Sequence, residues 1–285
     1  MIGFLNVYKP SGVTSAFVVG RIKKQFHLDK VGHMGTLDPL ACGILPIAIG
    51  KATRMFDYFL EKTKTYIARF TFGTTTDTLD SDGQIAETSD VLPSLDDVKN
   101  ILKNFTGDIE QFPPNYSAKK INGTCAYKLA RQNVEFELKP KTIHIEKISV
   151  LNQVDERTFE FEIECGSGTY IRSLARDIAK ALNTVGYMTF LERTQSGFFK
   201  KEDSITLADI EKLTSLDGHI MKIEEVFPKI PHLNLTDNET KRLIDGQSVK
   251  INIVDGNYMI FCGHELICIG EAKGNNLKLK TYLKG

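Results

Sequence analysis

The sequence predicts an α+β fold, and three observations carry that expectation. Several segments alternate apolar and polar residues with period two, capped amphipathic stretches lie between them, and the texture changes near residue 230. Residues 4–8 read as a strand ended by the turn Lys9-Pro10-Ser11-Gly12. Thr14 or Ser15 then caps a helix with Val18, Ile22 and Phe26 on one face. Residues 32–46 hold three glycines and two prolines, which predicts a shaped loop rather than a regular element. Residues 64–72 place Tyr66, Ala68, Phe70 and Phe72 on one side of a half-buried strand. Ser94 with Asp97 forms a capping-box pattern ahead of Leu95, Val98, Ile101 and Leu102.

Residues 112–133 are basic and aromatic without clean periodicity, which predicts an extended arm. Strands are expected at 142–153 and 157–165, then a Thr169-capped helix with Ile171, Leu174, Ile178 and Leu182 as its stripe. A strand near 187–199 and a Thr206-capped helix complete a first domain over 1–230. Beyond Phe227-Pro228-Lys229-Ile230-Pro231, residues 231–285 hold one short helix and about four short strands. That pattern suits an appended binding module.

Composition narrows the function classes. With 41% hydrophobic and 25% charged residues, the chain is neither disordered nor fibrous. No apolar run approaches the ~20 residues of a membrane span, and the start lacks a basic-then-apolar signal pattern. Five cysteines without a C-x-x-C pair suggest free thiols and a cytoplasmic location. Cys262, His264 and Cys268 have poor spacing for zinc, so no metal is expected, and a small accessory module fits a monomer. The 36 basic and 36 acidic residues cancel, but not locally. Residues 1–70 carry ten Lys/Arg against four Asp/Glu, 71–115 two against nine, and 116–141 six against two. If folding brings the two basic blocks together, they form a groove for an anionic partner.

The most unusual segment is Gly32-His33-Met34-Gly35-Thr36-Leu37-Asp38-Pro39-Leu40-Ala41-Cys42-Gly43. Proline at 39 holds Asp38 out of helical conformation, and the glycines permit close approach. Such a carboxylate fits either an Asx-type turn or a nucleophile or base. On spacing alone both stay open.

With Val31 in front, that segment resembles the signature of the TruB family, the tRNA pseudouridine-55 synthases. Lys9-Pro10-Ser11-Gly12-Val13-Thr14-Ser15 resembles the family's opening loop. Lys64-Thr65-Tyr66, Gly73 and 76–83 are similar to its second block. Cys165-Gly166-Ser167-Gly168-Thr169-Tyr170-Ile171-Arg172 and Leu191-Glu192-Arg193-Thr194-Gln195-Ser196-Gly197-Phe198 resemble two further blocks, in family order over about the first 200 residues. The resemblance implies a mixed, mainly antiparallel catalytic sheet with flanking helices, and a PUA-like RNA-binding domain at 231–285. It implies isomerisation of a T-loop uridine in tRNA after base flipping, with no cofactor, and a tRNA T-stem-loop as partner.

It also implies roles. Asp38 matches the catalytic aspartate, Arg172 the arginine that holds it anionic, and Tyr66 a tyrosine that stacks on uracil and helps remove its C5 proton. His33, Asp80, Tyr170 and Leu191 match positions around the flipped nucleotide. Lys9, Lys119, Lys120, Lys128 and Arg131 are expected to contact the RNA backbone, with Tyr116 and Tyr127 stacking in the arm. Glu192 departs from the family pattern, which usually has arginine there and would supply a phosphate contact. Two other readings stand beside it: a non-catalytic tRNA-folding chaperone gripping the elbow, and a glycoside hydrolase. The hydrolase lacks a convincing second carboxylate.

Overall fold

The computed structural model describes every residue except 61–62, 117–119, 122, 126–128, 130–131, 133, 135, 137 and 285; for 60, 120, 121, 124 and 125 it describes the backbone alone. In chain order the first strands are β1 (Gly3–Lys9), β2 (Val31–His33), β3 (Cys42–Ile49), β4 (Lys64–Phe72), β5 (Thr74–Thr76), β6 (Ile85–Thr88) and β7 (Gly107–Gln111). The short pair β8 (Lys120–Ile121) and β9 (Thr124–Cys125) follows. Then come β10 (Lys141–Gln153), β11 (Thr158–Cys165), β12 (Gly186–Ser196), β13 (Phe199–Lys200) and β14 (Ile205–Thr206). The main sheet runs β14-β1-β3-β12-β4-β11-β10-β7, with β2 beside β3 and β13 beside β12. Only β1/β14 and β3/β12 pair in parallel, so the sheet is mixed and mainly antiparallel.

Alternation explains the centre of this sheet. Tyr66, Ala68, Phe70 and Phe72 of β4 are all buried, as are Phe159, Phe161, Ile163 and Cys165 of β11. Phe70 and Phe161 meet with ring centroids 4.7 Å apart. Helices Ser15–Gln25, Leu95–Ile101 and Ile171–Ala181 cover the sheet through Val18, Ile22, Val98, Leu174 and Ile178. Thr14 caps the first, its side chain accepting from the Phe17 amide. Both bonds of the Ser94–Asp97 capping box are present.

Two local expectations are corrected. Strands β2 and β3 extend into the 32–46 segment, leaving 34–41 as the loop. Pro46 fits inside β3 because its nitrogen shares a side with its carbonyl, which accepts from Met34 just past the end of β2. Thr169 does not cap the helix Ile171–Ala181. Tyr170 is the cap residue, and Thr169 instead donates to the Gly166 carbonyl across the preceding turn.

The remainder forms a second sheet, ordered β15-β17-β18-β19-β16, from β15 (His232–Asn234), β16 (Val249–Lys250), β17 (Gly256–Cys262), β18 (Glu265–Lys273) and β19 (Asn276–Tyr282). Helix Asp237–Ile244 opens with the Thr236–Glu239 box. This sheet does not stand apart from the first. Met259, Ile269 and Leu283 join Phe4, Phe59, Phe199 and Phe227 in one apolar cluster. Phe227 meets Phe59 edge-on at 5.1 Å. Lys51 donates to the Lys284 carbonyl, and Arg54 Nη1 donates to the Tyr282 carbonyl at 3.0 Å.

Phe227 is buried at that junction. Phe227→Ala is expected to cost about 3–5 kcal/mol in chemical denaturation. Hydrogen exchange should rise in β17 and β18 ahead of β4 and β11.

Candidate active site

The loop between β2 and β3 has no regular structure to satisfy its backbone, so each carbonyl needs another donor. Side chains and turns supply them. Arg193 Nη2 donates to Gly35 O at 3.1 Å and Nη1 to Thr36 O at 3.4 Å. Ser15 Oγ donates to Leu37 O at 3.1 Å and accepts from the Leu37 amide at 2.9 Å. Asp38 O accepts from Ala41 N, Pro39 O from Gly12 N and from Lys9 Nζ, and Leu40 O from Ser11 Oγ. Every carbonyl from 35 to 40 is engaged, most of them by the Lys9–Ser15 segment and by Arg193. Gly12 takes φ +85° to present its amide, a conformation that favours glycine.

Asp38 projects from this clamped loop onto Arg172, whose Nε lies 2.9 Å from Asp38 Oδ2. The same guanidinium reaches Asp80 Oδ2 at 3.1 Å and donates to the carbonyls of Thr78 and Tyr116 at 3.0 Å each. The Arg172 side chain is 8% exposed and that of Asp80 7%, whereas Asp38 keeps 34%. A buried guanidinium thus holds one carboxylate open to solvent and one sealed behind it. Burial pushes the Asp80 carboxyl up, opposed by the bond from Thr78 Oγ1 at 2.6 Å and by Arg172. The site draws on four parts of the chain. Asp38 comes from the loop, Asp80 from the turn after β5, Arg172 from a helix start and Tyr116 from the base of the arm.

Tyr66 lies buried on β4, opposite Arg193 of β12 in register. Burial pushes its phenol up, opposed in part by the Arg193 charge. Leu191, buried two residues earlier on β12, pairs with Ala68. His33 ends β2, its Nδ1 buried without a hydrogen-bond partner; burial and the Arg193 charge hold its pKa down. Tyr170 is half-buried. Its amide donates to Gln111 Oε1 at 2.8 Å and its carbonyl accepts from Gln111 Nε2 at 3.1 Å.

The expectation that Lys9 contacts RNA is corrected. Its side chain is 0% exposed and donates to the carbonyls of Pro10, Val13 and Pro39, so it has no donor face for a phosphate. Lys119, Lys128, Arg131 and Tyr127 lie outside the described residues, and only the backbone of Lys120 is described, in β8. Arg193 was not singled out from the sequence, although a basic residue in an otherwise half-buried strand was the available sign. Ser15 stands in the opening-loop block without a site role, and Gln111 carries no sign in the sequence.

Comparison with known proteins decides the family. A profile described as TruB family pseudouridylate synthase, N-terminal domain, matches residues 23–171. One described as tRNA pseudouridylate synthase B C-terminal domain matches 172–227. The chain belongs to the TruB family. It is a pseudouridine synthase, an isomerase. A tRNA pseudouridine synthase B of Caldanaerobacter subterraneus subsp. tengcongensis is 37% identical over 282 residues, covering 98% of each chain. That of Caulobacter sp. (strain K31) is 39% identical over 87% of this chain and 81% of its own. Among solved structures, a Cbf5-Nop10-Gar1 complex contains a chain with TM-score 0.73 and 29% identity, covering 98% of this chain and 84% of that one. An H/ACA RNP bound to a substrate RNA containing 2'-deoxyuridine gives 0.72 and 26%, covering 99% and 85%.

In this TruB-family chain Glu192, which replaces the usual arginine, faces no open groove. Its buried Oε1 accepts from the Tyr8 hydroxyl at 2.6 Å and lies 2.6 Å from Lys201 Nζ. An acid there is matched by its neighbours.

Lys9 offers a pH test. Burial lowers its ammonium from 10.5 to about 8, with the Arg193 charge adding to the fall against Cys42 and Asp38. Below about 8 both folded and unfolded chains carry the proton, and the full cost of burying the charge is present. Between about 8 and 10.5 only the unfolded chain holds it, so that cost is relieved as pH rises. Denaturant stability relative to Lys9→Met is therefore expected to climb across this window. A flat difference would contradict the assignment.

Proposed function

We propose that this synthase converts uridine 55 in the T-loop of tRNA to pseudouridine, with Asp38 as the catalytic carboxylate. The observation that carries the reading is the partly open Asp38 carboxylate. It is held by a buried arginine on a loop whose carbonyls from residue 35 to 40 are all tied down. Isomerisation breaks the N-glycosidic bond, turns the uracil and joins its C5 to the sugar, with no change in oxidation state. Three roles suit the carboxylate: attack on the sugar, attack on the base, or removal of a sugar proton. All three need it ionised, and Arg172 supplies a countercharge 2.9 Å from one of its oxygens. Arg172 takes one carboxylate oxygen, leaving the other for substrate. The names of the curated relatives, each a tRNA pseudouridine synthase B, support tRNA as the substrate.

Tyr66 stacks on the flipped uracil and takes the C5 proton, beside Leu191 and His33. Asp80 fixes Arg172 from behind. Tyr170, bracketed by Gln111, borders the helix start that carries Arg172. Extracting the base costs about a few kcal/mol, which contacts to the RNA backbone must offset. We assign those contacts to the 112–133 arm and to residues 231–285 as a PUA-like RNA-binding domain. The Arg172 bond to Tyr116 ties the arm's base to the catalytic carboxylate.

Asp38→Ala is expected to abolish tritium release from tRNA labelled at uridine C5 while RNA affinity stays within about threefold. Retained turnover would sink the role of Asp38. Release should also vanish when only the labelled T-loop uridine is replaced. RNA affinity is expected to fall as salt rises, with a linear log–log slope. A flat salt response would remove the proposed backbone contacts.

A further inference from the structure

Arg193 is a buried cation that the chemistry above leaves unused. Its side chain is among the most deeply buried in the chain, at 1% exposure. Arg172 pairs with two carboxylates, whereas among the described residues no carboxylate lies within ion-pair distance of Arg193. Its bonds go to the carbonyls of Ile44 at 2.7 Å, Gly35 and Thr36, and its position on β12 is directly opposite Tyr66 on β4. Burying a full positive charge against neutral acceptors is costly, and neutral donors could satisfy three carbonyls without it. The place is nonetheless built around this residue. Gly43, at φ +106°, packs so closely that a Cβ there would sit 2.3 Å from the Arg193 carbonyl oxygen.

We propose that Arg193 is a positioning residue for the proton-removal step, supplying the fixed positive charge against which the Tyr66 oxygen can be anionic when it takes the uracil C5 proton. The inference rests on the role given to Tyr66 above. Once C5 is bonded to the sugar it carries both that bond and its hydrogen. The C5–H bond breaks, its electron pair restores the ring double bond, and the proton passes to the Tyr66 oxygen. Tyr66 leaves the step as a neutral phenol and returns the proton to solvent, while the freed N1 takes one up. No oxidant or reductant is needed.

The surroundings suit this division. Among the described residues, the charged and titratable groups that act on Tyr66 are Arg193 on β12, Cys165 on β11 and Asp38 from the loop, already paired with Arg172, while Lys64 lies two residues earlier on its own strand. Lys64, its Nζ 2.5 Å from Ser167 Oγ, is lowered to about 8 by burial and by the Arg193 charge. Lys9 and His33 feel the same charge. The field of Arg193 thus falls on three bases that it disfavours as cations and on one phenol that it favours as an anion.

The test is single-turnover tritium release from C5-labelled tRNA as a function of pH, for wild type, Arg193→Gln, Arg193→Lys and Tyr66→Phe. Arg193→Gln keeps donors for the carbonyls without the charge. It is expected to release tritium about 100-fold more slowly near neutrality. Its KM should stay within about threefold of wild type, and its rate should recover with alkalinity as the phenol ionises unaided. Arg193→Lys should keep the wild-type pH profile. If Arg193→Gln does not fold, Arg193→Met serves as the charge-deleting variant with the same readouts. A loss that is uniform across pH, or equal in the Gln and Lys variants, would overturn the proposal and leave Arg193 a scaffold residue. Full tritium release by Tyr66→Phe would instead overturn the role of Tyr66, and this inference with it.

Discussion

The structure turns on one constraint: the segment that presents Asp38 has no helix or strand to absorb its backbone carbonyls. Six consecutive carbonyls, from Gly35 to Leu40, find donors in the Lys9–Ser15 segment, in Arg193 and in the loop's own Ala41 amide. Each donor is itself fixed. Lys9 and Ser15 are buried, Ser15 begins a helix held by the Thr14 cap, and Arg193 is locked between β3 and β4. An irregular segment is thereby as determined as a strand. That precision is what a carboxylate needs in order to meet a flipped nucleotide at one distance.

Two buried arginines divide the electrostatic work. Arg172 faces Asp38 and Asp80, so one guanidinium serves two carboxyl groups. Arg193 bonds to the carbonyls of Ile44, Gly35 and Thr36 and, among the described residues, to no carboxylate. The site therefore sets a guanidinium paired with carboxyl groups beside one that is held by carbonyls alone. Neutral overall composition conceals this completely, because the sum counts exposed and buried charges alike.

Much of the scaffold was legible because burial enforces period. The alternation in β4 and β11 and the Ser94, Thr206 and Thr236 caps declare themselves locally, through interactions spanning one to four residues. What was not legible depends on distant partners. Lys9 reads as a surface cation until Val13 and Pro39 close over it. Thr169 reads as a cap until Gln111, 59 residues from Tyr170, takes the helix-start amide. Pro46 reads as a breaker until the end of β2 leaves its nitrogen without a required acceptor. Asp38, Tyr66 and Arg172 stood out through family resemblance, since an Asx turn explains Asp38 locally just as well.

The apolar cluster between the two sheets has a consequence for how the chain comes into being. Phe4 belongs to the first strand and Leu283 lies just beyond the last, yet they share that cluster with Met259 and Ile269. As the polypeptide is synthesised from its amino end, Phe4, Phe59 and Phe199 emerge long before the side chains that will cover them. Part of the aromatic face of the large sheet therefore stays uncovered until residues 259–283 have left the ribosome. A nascent chain halted before residue 259 would display a sticky patch, a natural handle for holding factors and for proteases that clear unfinished product.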